Sequence, residues 1–240
     1  MLVKSQIKLT RSLQQKKYRN QHGLFFVEGK KTVQELFAAN LKPHKVYCLD
    51  SKKLDVSAAK VEQVTLTELR QMSYLKNPPG VLAVFHIPKK TILNYSDWMV
   101  ALDDVRDPGN MGTIIRLCDW FGISHIICSK STVDCYNPKV LQATMGSIAR
   151  VNVHYVDLND FLRKSEIPIY GAFMDGVSVY ETKLSKKGIL VMGNEAHGIS
   201  NEVRTLISQE MCIPQFGNKT TESLNVATAT AILLNEVRRG

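Results

Sequence analysis

Hydrophobic positions in this 240-residue chain follow two rhythms, and the change between them falls at residues 89–97. Before it, short apolar runs alternate with helical spacing. Phe25-Phe26-Val27 predicts a strand closed by Glu28-Gly29. Val33, Leu36 and Phe37, at i, i+3 and i+4, predict a helix over 30–39 that Asn40 and Pro43 end. Val46 to Leu49 predicts a second strand, Thr67 to Met72 a short helix capped by Thr67, and Val81 to Ile87 a third strand. These make a small α/β domain over 1–88. Pro88-Lys89-Lys90 and the polar residues up to Asp97 predict a linker, because proline and charge there follow one strand and precede another.

Over 98–240 the strands are apolar at successive positions, as fully buried parallel strands require. Trp98 to Leu102, His125 to Cys128, Ile167 to Phe173 and Gly188 to Met192 have this form, and Cys212-Ile213-Pro214 is a shorter apolar strand. Helical spacing lies between them at 111–121, 138–149, 158–164, 202–207 and 223–238. Strand and helix in alternation predict a doubly wound parallel sheet with both faces covered.

Charge adds a partner. The chain carries a net +9, and Lys4, Lys8, Arg11, Lys16, Lys17 and Arg19 fall within 4–22 without one acidic residue among them. Such a segment favours a polyanion, since Lys and Arg bind phosphates with release of counterions. Lys16, Lys17 and Arg19 are therefore candidate nucleic-acid contacts, against the plainer alternative of a solvated basic helix. The five cysteines are odd in number, form no C-x-x-C pair and lie mostly in apolar runs, which predicts buried thiols in a reducing compartment. No apolar run reaches the roughly 18 residues of a membrane span, and 1–10 is too polar for a signal peptide. A cytoplasmic protein with no membrane partner and no metal is expected.

Three stretches carry candidate chemistry, each where an apolar run gives way to small or polar residues, as ligand sites of α/β proteins do. Asp107-Pro108-Gly109-Asn110-Met111-Gly112 is a tight turn into a helix whose N-H groups face an anion, with Asn110 a candidate cap. Arg116 follows on an otherwise apolar helix, and its fork of donors suits a phosphate or carboxylate. Met192-Gly193-Asn194-Glu195-Ala196-His197-Gly198 ends a buried strand; Gly193 permits close backbone approach, Gly198 a positive φ, and Glu195 stands as a lone carboxylate. Ser223-Leu224-Asn225 opens the last helix with Ser223 as its N-cap and Asn225 in its first turn.

Together D-P-G-N-M-G-T-I-I-R, V-M-G-N-E-A-H-G-I and I-P...E-S-L-N-V-A resemble, in order and spacing, the three signature motifs of the SpoU or TrmH-like RNA ribose 2'-O-methyltransferases of the SPOUT superfamily. The resemblance covers 98–240. It extends more loosely to Arg19 and to Gly23-Leu24-Phe25-Phe26-Val27-Glu28-Gly29, which look like the start of the family's L30e-like substrate-binding domain. It implies an S-adenosylmethionine-dependent homodimer acting on rRNA or tRNA, with a C-terminal trefoil knot that the general rule against threaded chains would not suggest. By the same resemblance Asn110, Arg116, Glu195, Ser223 and Asn225 are the catalytic set. Met192, Gly193, Ile213, Leu224, Thr144, Met145 and Gly146 would hold the cofactor. A guanidinium is a poor base, so Arg116 is expected to orient the hydroxyl and its phosphate, with Asn110 and Glu195 positioning Arg116. Ala196-His197 departs from the glycine or small polar residues common after the motif's glutamate, and Lys219, Thr220, Thr221 and Glu222 stand where relatives vary.

Two other classes compete. A non-enzymatic RNA-binding protein would share the fold and the basic front, but has no use for Glu195 near RNA. A dinucleotide-dependent oxidoreductase is disfavoured because Gly109 and Gly112 give only G-x-x-G, with Pro108 in the turn, although Asp134 lies about 20 residues on.

Overall fold

The computed structural model describes residues 4–51, 61–89, 91–217 and 223–239. Its strands are β1 (Leu24–Glu28), β2 (Pro43–Cys48), β3 (Val61–Gln63), β4 (Val81–His86), β5 (Met99–Leu102), β6 (His125–Ser129), β7 (Asn152–Val156), β8 (Ile169–Ser178), β9 (Ile189–Met192) and β10 (Gln209–Cys212). Its helices are α1 (Lys4–Ser12), α2 (Lys16–His22), α3 (Lys30–Ala38), α4 (Leu66–Met72), α5 (Pro108–Trp120), α6 (Pro138–Thr144), α7 (Leu158–Arg163), α8 (Asn201–Arg204) and α9 (Val226–Arg239). The chain packs as two compact units. One runs up to Lys89 and takes in Asp134–Ala149; the other holds the remainder. Residues 134–149, assigned to the second domain by their place in the sequence, thus pack with the first.

The first unit is built on a four-stranded sheet in the order β1-β4-β2-β3, with β4 antiparallel to both neighbours and β3 parallel to β2. Its core joins Leu24, Phe26, Tyr47, Leu69, Met72, Leu82 and Val84. On the other side of β1 sits α6, and just ahead of that helix Tyr136 packs its ring 4.7 Å from that of Phe25. Arg19 ties the same segment down. It is 3% exposed, its Nη1 donates to the carbonyls of Leu13 and Gln14 at 2.8 and 2.9 Å, and its Nε donates to Asp134 at 3.1 Å. Its guanidinium is spent inside the unit, which corrects its reading as an RNA contact. Lys16 and Lys17 stay exposed on α2. The cap of α4 is Thr65 rather than Thr67: its hydroxyl accepts from the Glu68 N-H while Glu68 accepts from the Thr65 N-H, a reciprocal pair.

In the second unit the sheet order is β10-β8-β9-β5-β6-β7, and every pairing is parallel. The central strands β5 and β9 are buried at every position, as their unbroken apolar runs predicted. Met99, Ala101, Ile189 and Val191 pack against Leu158, Leu162 and Val203 of the covering helices. β8 runs past its apolar start to Ser178 because its second half pairs with β10 across a register shift at Glu210/Met211. Gly176 permits this: a Cβ there would stand 2.7 Å from the backbone of Glu210 and Met211.

Candidate active site

The carboxyl ends of β5 and β9 lie side by side in register, Leu102 beside Met192, so the loops that leave them meet. Asp103, 7% exposed, accepts the Ser200 N-H at 2.8 Å and fixes the far end of the β9 loop. Asp104 takes a left-handed backbone, φ 59; its N-H donates to Ser129 Oγ at 3.0 Å, and its carbonyl accepts Asn194 Nδ2 at 2.7 Å. Asn194 also accepts the N-H groups of Ala196 and His197, closing the 194–198 turn. Gly193 is needed there for its own chain: a Cβ would lie 2.2 Å from Gly198 C. Gly198 has the expected positive φ, 69.

The α5 helix starts under Asp107, whose carboxylate accepts the Asn110 N-H at 2.8 Å, followed by Pro108 in the first turn. Asp107 is therefore the cap, and the Asn110 side chain is released for another use. Its Nδ2 donates to Glu195 Oε1 at 3.1 Å, and its Oδ1 accepts Asn225 Nδ2 at 2.8 Å, across 115 residues of sequence. Glu195 also accepts the N-H groups of Arg106 and Asp107 at 3.2 and 3.0 Å. Partial burial pushes its carboxyl up, but the bonds from Asn110 and from the backbone of Glu195, Asp107 and Arg106 outweigh this and hold it below the ordinary carboxylate range. Asn225 in turn accepts from the N-H groups of Ala227 and Thr228, so it caps α9, which begins at Val226. The N-cap expected at Ser223 lies two residues later.

These groups border a cavity of about 1220 Å³. Asn110, Met192, Gly193, Glu195, Ile213, Ser223, Leu224 and Asn225 all line it. A single small-molecule site fills about 300–1,000 Å³, so this one has room for a second reactant. Met192, Ile213 and Leu224 supply apolar wall, and the backbone between Met192 and Gly198 supplies polar groups, a set that suits a small ligand with both apolar and hydrogen-bonding parts. Arg116 is not among the lining residues. It is exposed on α5, without a partner among the described residues, and contacts neither Asn110 nor Glu195. The expected positioning of Arg116 by those two residues is absent within the chain; they hold each other and Asn225 instead. Thr144, Met145 and Gly146 also lie outside the cavity lining, in the first unit. Thr144 is buried with its hydroxyl on the Leu141 carbonyl, and Gly146, φ 100, leaves space where a Cβ would meet the Glu35 side chain at 2.7 Å. Lys219 to Glu222 lie outside the described residues. Asp104 and Arg106, just ahead of the first motif, carry no signal of their own in the sequence, and Asn194 stands inside the second motif without an expected role.

The SpoU rRNA Methylase family model matches residues 97–235. The chain belongs to that family. A model of the MRM3-like substrate binding domain matches residues 4–83. The 23S rRNA (guanosine(2553)-2'-O)-methyltransferase RlmP of Bacillus subtilis is 27% identical over 97% of this chain and 95% of its own. Among solved structures, a TrmH-family protein from Porphyromonas gingivalis is 39% identical with a TM-score of 0.91, covering 100% of this chain and 99% of that one. The AdoMet-bound rRNA methyltransferase of Sinorhizobium meliloti is 30% identical with a TM-score of 0.87, covering 100% and 96%. SpoU methylases are enzymes, and this chain carries their fold, a parallel α/β sheet with a substrate-binding domain in front. Among the described residues no helix is long and apolar enough to cross a membrane, and no group of three or more His, Cys, Asp and Glu side chains is placed to hold a metal ion.

Proposed function

We propose that this protein methylates the 2'-hydroxyl of a ribose in ribosomal RNA, as a homodimer with a C-terminal trefoil knot. The observation that carries the reading is the chain of hydrogen bonds Glu195–Asn110–Asn225, which joins three distant segments beside one cavity. S-adenosylmethionine, when bound, supplies an electrophilic methyl group on a sulfonium. Met192, Gly193, Ile213 and Leu224 would hold it, with Ser223 shaping the mouth. What remains for the protein is alignment of the ribose oxygen, and positioning of this kind supplies much of the acceleration in two-substrate reactions. A locked Glu195–Asn110–Asn225 array suits that work because none of its members must move.

Arg116 completes the site from a second copy. With Thr113 and Trp120 it forms an exposed face of α5, and Trp120 is 83% exposed, which suits a subunit contact that carries Arg116 to the partner's cavity. There its guanidinium orients the hydroxyl and the adjacent phosphate, since proton removal is poor work for a group that stays charged. Lys16 and Lys17, with Lys4, Lys8 and Arg11 on α1, give the front domain an exposed basic surface for RNA. Free solution of the cell interior is the compartment that such a substrate requires.

The test is mass-spectrometric mapping of 2'-O-methyl groups in ribosomal and transfer RNA from cells with and without the gene. One missing rRNA methyl is expected; a missing tRNA methyl would move the substrate class. No loss anywhere, with no S-adenosylmethionine binding by calorimetry, would leave a non-enzymatic RNA-binding protein. Arg116→Ala subunits should be inactive alone and regain activity when mixed with inactive Asn225→Ala subunits. Failure of that mixture would end the shared-site reading.

A further inference from the structure

We propose that Arg106 is a contact for an RNA phosphate at the rim of the cavity, held ready by Asp104, which acts as a positioning residue. The proposal rests on the RNA methyltransferase reading. Arg106 follows β5, and its backbone N-H is fixed on Glu195 at 3.2 Å. Its side chain is 70% exposed and donates through Nε alone to Asp104 Oδ1 at 2.9 Å. Nη1 and Nη2 have no partner among the described residues. That leaves one edge of the guanidinium open toward solvent, the pair of parallel donors that matches two phosphate oxygens.

The Asp104–Arg106 pair is too exposed to matter much for stability, yet Asp104 is held more tightly than a surface carboxylate needs to be. Its left-handed backbone, φ 59, is fixed by Ser129 on one side and Asn194 on the other. Aspartate adopts that backbone more readily than most residues, and these two bonds hold it there. Fixing Asp104 fixes the direction of Arg106, and Asn194 and Glu195 tie both to the loop that lines the cavity.

Charge gives the same answer. Among the described residues Asp107, Asp175 and Glu195 line the cavity, and the one Lys or Arg side chain lining it, Arg204, is committed to Glu210 through two bonds of 2.6 Å. A polyanion arriving there meets carboxylates, and a cation with open donors at the rim favours its entry alongside the Arg116 that a second copy is proposed to bring. Arg106 has those donors, and it sits one residue from Asp107 and on the hydrogen-bond network that includes Asn110. A phosphate on Arg106 would set the register of the backbone flanking the ribose to be methylated.

The experiment is binding of in-vitro-transcribed, unmodified 23S rRNA as a function of salt, for the full-length wild type and for Arg106→Ala, Arg106→Lys and Asp104→Asn. Calorimetric titration with S-adenosylmethionine accompanies each as a check on the cavity. Arg106→Ala should weaken RNA binding about tenfold and lower the slope of log K against log salt by about one, with S-adenosylmethionine affinity unchanged. Arg106→Lys should restore the slope and only part of the affinity, because a point charge lacks the fork. Asp104→Asn separates positioning from simple charge: removing a carboxylate should tighten RNA binding if Asp104 acts only through its charge, and weaken it if Asp104 aims Arg106. Tighter binding overturns the positioning role. Wild-type slope and affinity in Arg106→Ala, parallel loss of both ligands, or a wild type that does not bind the RNA overturns the contact itself. A wild type that binds with the expected slope but transfers no methyl sinks the reaction and leaves the contact standing.

Discussion

Gly193→Ala puts one methyl group into space already taken by the protein's own backbone. The new Cβ would stand 2.2 Å from Gly198 C, 2.3 Å from Ile199 N and 2.5 Å from Gly198 O. No side chain can swing away to relieve this, so the 194–198 turn must open. Opening it breaks the reciprocal bonds between Asn194 and Gly198, each 2.9 Å. Overpacking costs about 1–3 kcal/mol and each lost backbone bond about 0.5–1.5 kcal/mol, which together come to roughly 2–6 kcal/mol. In a chain of this size that lowers the melting temperature by roughly 4–24 °C at about 2–4 °C per kcal/mol. The same opening displaces Asn194 and Glu195, so S-adenosylmethionine binding should fall with stability. Two other glycines calibrate the result. At Gly198 the Cβ meets nothing within 4 Å but φ is +69, so alanine should cost about 1–2 kcal/mol through backbone strain alone. At Gly217 neither obstacle exists, and alanine should be neutral. Differential scanning calorimetry and ligand titration on the three variants give the order directly. A Gly193→Ala protein that melts and binds like the wild type would refute the close-approach argument.

Glu195→Gln should cost about 1–2 kcal/mol, a charge-assisted hydrogen bond discounted for exposure, and lower kcat more than it raises KM; an unchanged kcat would remove Glu195 from the site. Because its carboxyl lies below the ordinary range, that contribution is present above the unfolded carboxylate value near 4.5 and is lost as the pH falls through the lower folded value. Arg19→Ala leaves a largely buried Asp134 and two carbonyls without their donor, so denaturant melts should show a loss of about 3 kcal/mol; a neutral substitution would mean that the pair holds nothing together. On β6 and β7, His125 Nδ1 lies 3.2 Å from His154 Nε2, and burial holds His125 below its ordinary value. The folded state then binds fewer protons than the unfolded chain just below pH 6.5. Stability is full above that pH and drops as the pH falls through the folded value, a dependence that His125→Gln should flatten in melts between pH 7 and pH 5.

The central strands could be read directly because burial on both faces leaves nothing but apolar residues in a row, as at Met99 to Leu102 and Ile189 to Met192. β3 and β7 escaped that reading. Asn152-Val153-His154-Tyr155-Val156 is an edge strand with polar residues among its apolar ones, and Val61–Gln63 is too short to show a period. Helix starts were ambiguous wherever several capping residues stand close together. Thr65 and Thr67 are both eligible, as are Ser223 and Asn225, and only the partner in space decides. The residues of the Glu195–Asn110–Asn225 chain were nominated by resemblance, while their bonds to one another join segments up to 115 residues apart and leave no local trace. Arg19 shows the same limit in reverse. A basic run looks solvated until its counter-ion, equally far along the chain, is known.

The return of residues 134–149 to the first unit has a consequence for biosynthesis. When Lys89 leaves the ribosome, that unit still lacks α6 against β1 and the carboxylate that neutralises Arg19. Sixty residues separate Lys89 from Ala149, roughly 3–12 s of translation at about 5–20 residues per second. During that interval the front of the chain waits half-closed with an apolar flank uncovered, and its last piece arrives inside the sequence of its neighbour. The two units therefore cannot be made one after the other, and a gene cut at the linker would separate the first from part of its own wall.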